Sequence, residues 1–314
     1  MKWLKDWDEA IFGYGSVLPM AVFRAFVGFL SFLNVLIYAG VFADFFTEKG
    51  LFPVWMSERY AEGIPRLNLL AGVTDDRVTW VMLGLTGLAS LLVMVGFATR
   101  ISTIGLFVLL LTLHHRSGDV LHAGDWLLRL WIFSLAVSSC GAVFSVDRWL
   151  AVRKGAGPVE EVSLWPQKLV QFQLAIVYFM TVWLKWGGDL WRNGTATWYA
   201  ENLNEFVRFP VPGFMHSLPA IKLATYGTLL VELAMATLVF HKPIRKWVML
   251  AALAMHAYIE YSMNIPLFEW VIVAAFVCHF SGEEILSWAR RVSHRPGFRA
   301  LASRGLWPAE VVHA

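Results

Sequence analysis

Eight apolar stretches of this chain are candidate membrane spans, and the longest are too long and too apolar for a water-soluble fold to hide. Bilayer hydrocarbon is roughly 30 Å thick and an α-helix rises about 1.5 Å per residue, so a span needs about 20 mostly apolar residues. The stretches run over residues 17–41, 78–99, 101–113, 126–144, 169–184, 221–240, 247–261 and 266–280. The expected fold class is therefore all-α, a polytopic integral membrane helical bundle of about eight transmembrane helices. The third, fifth, seventh and eighth are short, so their polar ends either extend the helices or line a cavity inside the protein.

Composition excludes the alternatives. The chain is 58% hydrophobic and 16% charged, against roughly 45–50% and about 25% in soluble domains. A formal net charge of +3 gives no electrostatic footprint for nucleic acid. Cys140 and Cys278 each sit in an apolar run and are too few for a disulfide framework or a thiolate metal site.

Three segments follow. Residues 1–16 alternate charge with Trp and Phe and read as an interfacial amphipathic segment. Residues 17–281 are the transmembrane domain. Residues 282–314 form an Arg-rich tail with little apolar periodicity, whose positive charge suits an anchor on anionic lipid. If residue 1 is inside, the inner segments hold fifteen Lys and Arg against nine outside, which places both termini in the cytoplasm.

Ionisable groups inside spans cost about 2.5–3.5 kcal/mol each on insertion scales, so each needs a partner, a cavity or a function. Arg24, Arg129, Glu232, His256 and Glu260 qualify. A structural pair such as Arg24 or Arg129 with Glu232 would neutralise two of them. The segment HHRSGDVLHAGDW, 114–126, gathers three histidines with Asp119 and Asp125. Its histidine spacing is not the i, i+4 pair of a zinc helix, so it reads as a solvated loop carrying one functional histidine, and no metal is expected. In the fifth span Lys185 lies at the outer end, beside Trp183 and Trp186. It is either a lysine snorkelling to the interface or an amine in a partly dry cavity, where desolvation yields a general base.

The run IVYFMTVWLKWGGDLWRNG, 176–194, resembles the membrane domain of vitamin K-dependent gamma-carboxylase and the bacterial proteins that share it, the HTTM (horizontally transferred transmembrane) family. Other pieces follow in the same order: the Arg24 span leading to EKGLFPVW, the SVD of Ser145–Asp147, LLVELAMATLVF around Glu232, and the stretch from His256 to Phe268. Leu184 stands where the carboxylase has a first lysine, and HAGDW follows a different course after His122. The carboxylase carries a large lumenal region after its membrane domain; here an Arg-rich stretch follows Phe280.

The resemblance implies a quinol-dependent oxidoreductase or carboxylase-like lyase in the bacterial inner membrane, with its active face outward. Lys185 would be the base that deprotonates a reduced naphthoquinone or other quinol. His122 and His256 would hold the quinol oxygens or oxygen-derived intermediates, and Asp189 would orient the lysine. Arg24, Tyr178, Trp191 and Glu232 would line the cofactor site. The implied partners are membrane lipid, the quinol and a secreted or membrane peptide substrate. HTTM relatives also include partners in peptide maturation, so the same resemblance supports a non-catalytic accessory protein that binds a secreted peptide or lipid. A transporter would call for paired broken helices or inverted repeats, and a haem bundle for facing histidines on two spans; neither pattern is present in the sequence.

Overall fold

The computed structural model describes residues 8–9, 11–159 and 161–293, and nearly all of the regular structure there is helix. The chain divides into two compact units, Met1–Lys168 with Phe280–Ala314, and Leu169–His279.

In the first unit a two-residue strand β1 (Tyr14–Gly15) leads into α1 (Leu18–Phe46), and a turn leads to the short α2 (Val54–Tyr60). Helices α3 (Asp76–Val95), α4 (Thr99–Arg116), α5 (Ala123–Ala136) and α6 (Val146–Arg153) follow, then β2 (Val162–Ser163), antiparallel to β1. The α1 helix packs mainly against α3, α3 against α4, and α4 against α5. Gly28 permits the closest of these approaches: a Cβ there would lie 2.4 Å from the Met94 main-chain nitrogen. The core gathers Val35, Tyr38, Phe42, Phe46, Leu70, Leu83 and Leu113. Hydroxyls buried in the helices bond back one turn, as in Ser31 to Val27 O (2.7 Å) and Ser90 to Thr86 O (2.7 Å), which satisfies these donors in an apolar surrounding.

Two of the sequence motifs act as joints. The Glu48 carboxylate accepts from Val54 N (2.8 Å), and its own N–H bonds Asp76 (2.6 Å), which ties EKGLFPVW to the start of α3. In the SVD motif Ser145 caps α6 by accepting from Arg148 N (2.9 Å). Asp147 reaches across to cap α4 through Ala98 N (2.8 Å), Thr99 N (2.7 Å) and the Thr99 hydroxyl (2.7 Å).

The second unit comprises most of α7 (Trp165–Trp186), the short α8 (Asp189–Arg192) and α9 (Ala196–Glu201), α10 (Leu218–Thr237), α11 (Lys242–Ser262) and α12 (Phe268–Ala274). Tight 3-10 turns extend α10 through Phe240 and α12 through His279. The last described element, α13 (Gly282–Ser293), returns to the first unit and contacts α1.

Four helices among the described residues are long and apolar enough to cross a membrane: Leu18–Phe46, Asp76–Val95, Trp165–Trp186 and Leu218–Phe240. A fifth is added if Phe268–His279 and Gly282–Trp288 count as one broken span. The expectation of eight is thus met by helices at all eight places, but by membrane-crossing length and composition at only half of them. The reasons are local. Helix α4 ends in His114, His115 and Arg116, α5 has only 14 residues, and α11 begins with Lys242, Arg245 and Lys246.

Most of the expected interfacial segment, 1–16, lies outside the described residues, as does the tail from 294 onward. Within them, residues 8–9 and 11–12 are helical and Tyr14–Gly15 is a two-residue strand. The start of the tail is helical, not patternless, with Glu283 and Glu284 in its first turn and Arg290 and Arg291 in its last, the order that suits a helix dipole.

Candidate functional site

Helix α7 carries a polar stripe. Gln171, Tyr178 and Lys185 follow one another at intervals of seven, about 20° short of two full turns, so they lie on one face about 10.5 Å apart along the axis. Each has a partner in the second unit. The Gln171 amide donates to Cys278 O at 2.6 Å, the Tyr178 hydroxyl bonds His256 Nε2 at 2.6 Å, and Lys185 Nζ donates to Glu232 Oε1 on α10.

The Lys185–Glu232 ion pair answers two questions that the sequence raised. The lysine side chain is 26% exposed and the glutamate 7%, so the ammonium sits at the edge of a largely dry site. Its Nζ also lies 4.9 Å from the centre of the Trp191 ring, within range of a cation–π attraction. Glu232 Oε2 is buried with no hydrogen-bond partner among the described residues. Gly187 and Gly188 end α7 immediately after Lys185, and α8 starts at Asp189. Trp191 follows in α8, and the chain then turns at Gly194, where φ is +80° and a Cβ would lie 2.8 Å from the Tyr226 ring; the left-handed conformation and the crowding both call for glycine.

Asp189 turns away from the lysine. Its carboxylate bonds Arg192, three residues on, and its side chain is 86% exposed. The carboxylate that meets Lys185 is therefore Glu232, because the double-glycine break redirects the chain before Asp189.

Behind Tyr178 lies a second acid–base group. His256 on α11 bonds Tyr178 through Nε2 and Glu269 on α12 through Nδ1. All three residues are buried, and Glu269 Oε1 has no partner. Glu269 was missed in the sequence. It is an ionisable residue inside an apolar stretch, the same signal that marked Glu232, and it lies in the eighth expected span.

The remaining candidates lie elsewhere. In the first unit Arg24 is fully buried and spends its guanidinium on main-chain carbonyls: Val93, Met94 (2.8 Å), Cys140 (3.2 Å) and Phe144. It caps the carbonyl end of α3, where a cation is favoured. Arg129 lies 4.2 Å over the Trp126 ring on its own helix. The anticipated pairing of Arg24 or Arg129 with Glu232 is replaced by these contacts and by Lys185. Of the other groups inside spans, Glu260 pairs with Arg208.

His122 stands at the N-cap of α5, with Nδ1 accepting from Gly124 N (3.0 Å). Asp125 closes the capping box through His122 N (2.9 Å) and accepts from Asn34 (2.9 Å) and Tyr38 (2.8 Å), while the Tyr38 hydroxyl also touches His114 Nε2 (3.1 Å). His114, Arg116 and Asp125 are each 1% exposed. The segment expected to be a solvated loop is instead a buried polar network, because α4 continues through Arg116 and α5 begins at Ala123. Among the described residues there is no group of His, Cys, Asp and Glu arranged to hold a metal.

Helices α7 and α10 also line an open apolar groove of about 410 Å³, walled by Phe179, Val182, Trp183, Trp186, Leu229 and Leu233 among others. Val182 and Leu229 in that wall lie three residues before Lys185 and Glu232, about one helical turn, on both helices.

Membrane-length apolar helices that carry buried ionisable pairs define a helical membrane protein. The family profile of the HTTM domain matches residues 17–283, and the chain belongs to that family. No curated protein and no solved structure matches it.

Proposed function

We propose that this integral membrane protein is an enzyme that abstracts a proton, with the Lys185–Glu232 pair as its base and a quinol, a reduced naphthoquinone or a relative, as its cofactor. The observation that carries the reading is the pair itself, a lysine and a largely buried carboxylate in direct contact, on the two helices that also line an apolar groove. The pair holds one proton between two basic atoms. When that proton rests on Glu232, the Nζ lone pair is free to take another; after abstraction Nζ is an ammonium and Glu232 a neutral acid. Trp191 steadies the ammonium through its ring face.

The residues fit such a cofactor. The buried, unpartnered Glu232 Oε2 is an acceptor awaiting a donor, and the Phe and Trp walls of the groove suit an apolar ring and tail. When bound, a quinol supplies acidic hydroxyl groups and two reducing electrons. The protein's part is to bind the ring, receive a proton at Nζ and keep water from quenching the base.

The reading includes about eight membrane crossings, cytoplasmic termini supported by the Lys and Arg asymmetry, an outward-facing site in a bacterial inner membrane, and a secreted or membrane peptide as substrate. Organic extraction and native mass spectrometry of the detergent-purified protein test it. A stoichiometric quinone in wild type and Lys185→Ala, with turnover lost only in the variant, is the expected result. A fully active Lys185→Ala protein refutes the base, and an empty bundle that brings down a peptide moves the assignment to an accessory role.

A further inference from the structure

The structure holds a buried chain of three titratable groups that the proposed base does not use. Tyr178, His256 and Glu269 come from α7, α11 and α12, all are buried, and each inner contact is a hydrogen bond. We infer that Glu269 fixes His256 with its proton on Nδ1, leaving Nε2 as a bare acceptor, and thereby makes Tyr178 a second acid–base residue, two turns from Lys185 on the same face of α7.

The chemistry of the donors sets the direction. An ionised carboxylate only accepts hydrogen bonds, and the Glu269 carboxylate meets His256 at Nδ1. Nδ1 must then donate, and the neutral ring has only Nε2 left to receive the Tyr178 hydroxyl proton. Transfer breaks the phenolic O–H bond and forms Nε2–H, with the electron pair staying on the phenolate oxygen. The resulting imidazolium lies between two anions, and the reverse step returns an acid. Of the other charged groups nearby, Glu232 on α10 is itself held by Lys185.

The apolar groove lies alongside. Val182, four residues after Tyr178 and three before Lys185, lies between them on the helix and forms part of the groove wall. Tyr178 itself is buried beneath that wall, so its hydroxyl faces His256 rather than the groove. His256 and Glu269 are positioning residues in this arrangement, since they act through Tyr178.

Histidine-selective nitrogen-15 NMR of the full chain in detergent tests the inference without turnover, so its outcome is independent of whether Lys185 is the base. One histidine in the wild type should show a protonated Nδ1 and a bare Nε2, and Tyr178→Phe should move that Nε2 resonance while leaving Nδ1 in place. Glu269→Leu should flip the proton to Nε2, and Glu269→Gln, whose amide oxygen still accepts, should restore the wild-type pattern. A packing role alone would leave the tautomer unmoved in all of them. A proton on Nε2 in wild type, or the absence of any histidine resonance responding to Tyr178→Phe, overturns the inference. If Glu269→Leu does not fold, the wild-type and Tyr178→Phe spectra decide it alone.

Discussion

Replacing Glu232 by leucine should leave Lys185 without its counter-charge while keeping its Trp191 contact. Removing one partner of a fully buried ion pair costs about 3–5 kcal/mol. Lys185 is 26% exposed, and water at that edge recovers part of the loss, so the expected cost is about 2–3 kcal/mol. The opposite single change, Lys185→Met, strands a carboxylate that is only 7% exposed and already has one unpartnered oxygen, and should cost about 3–5 kcal/mol. The double variant replaces both by apolar groups and should recover most of this, because a buried pair exchanged for well-packed hydrophobes is often nearly neutral. Equilibrium denaturation in detergent of all four proteins gives the coupling energy, expected at about 4–6 kcal/mol, the two single losses together less a residual of about 1–2 kcal/mol in the double variant. A coupling below about 0.5 kcal/mol, with the two single losses simply adding, would show that the two side chains do not meet.

Other outcomes follow from the same contacts. Arg24→Lys should destabilise by at least about 2 kcal/mol, since an ammonium cannot serve four carbonyls spread around a planar fork; unfolding curves in detergent that match wild type would contradict it. Asp125→Leu removes the acceptor shared by Asn34, Tyr38 and His122 N and should cost about 3 kcal/mol, read as faster proteolysis between α4 and α5. Gly28→Val drives a side chain into the Met94 backbone and should cost about 2–3 kcal/mol, read as a lower denaturation midpoint. Glu201, in the connection between α7 and α10, has its carboxyl raised above the usual range by burial, an effect partly opposed by the hydrogen bond from Tyr258. The folded state then binds this proton more tightly than the unfolded one, so its contribution to stability is present below the ordinary glutamate range and is lost as pH rises toward the raised value. Glu201→Gln should flatten that slope in pH-dependent melting; an unchanged slope would remove the assignment.

The sequence shows helices where apolar residues run for some 20 positions, because the membrane and the helix rise impose that length together. It does not show where polar residues stop a span from crossing. His114 and Arg116 were read as loop, yet the helix runs through them, because Tyr38, Phe52 and Thr47 supply partners that no local pattern announces. The lysine was legible from its position in the motif. Its partner was not, since Glu232 is 47 residues away and Asp189 only four; proximity in sequence favoured the wrong carboxylate, and two glycines decided the matter. Arg24 marked itself as a buried charge, but its carbonyl partners carry no side-chain signature at all. Glu269 was present as a lone acid in an apolar run, and its pairing with His256 depends on how the chain turns between α11 and α12.

The seven-residue interval along α7 makes the site sensitive to phase more than to composition. One residue inserted between Gln171 and Tyr178 would rotate everything downstream by about 100°, separating Tyr178 from His256 and Lys185 from Glu232 in a single event, although every side chain would still be present. One residue inserted after Gly188 falls where the helix has already ended and would leave that register intact. Length variation in this chain should therefore be tolerated on one side of the double glycine and silence it on the other.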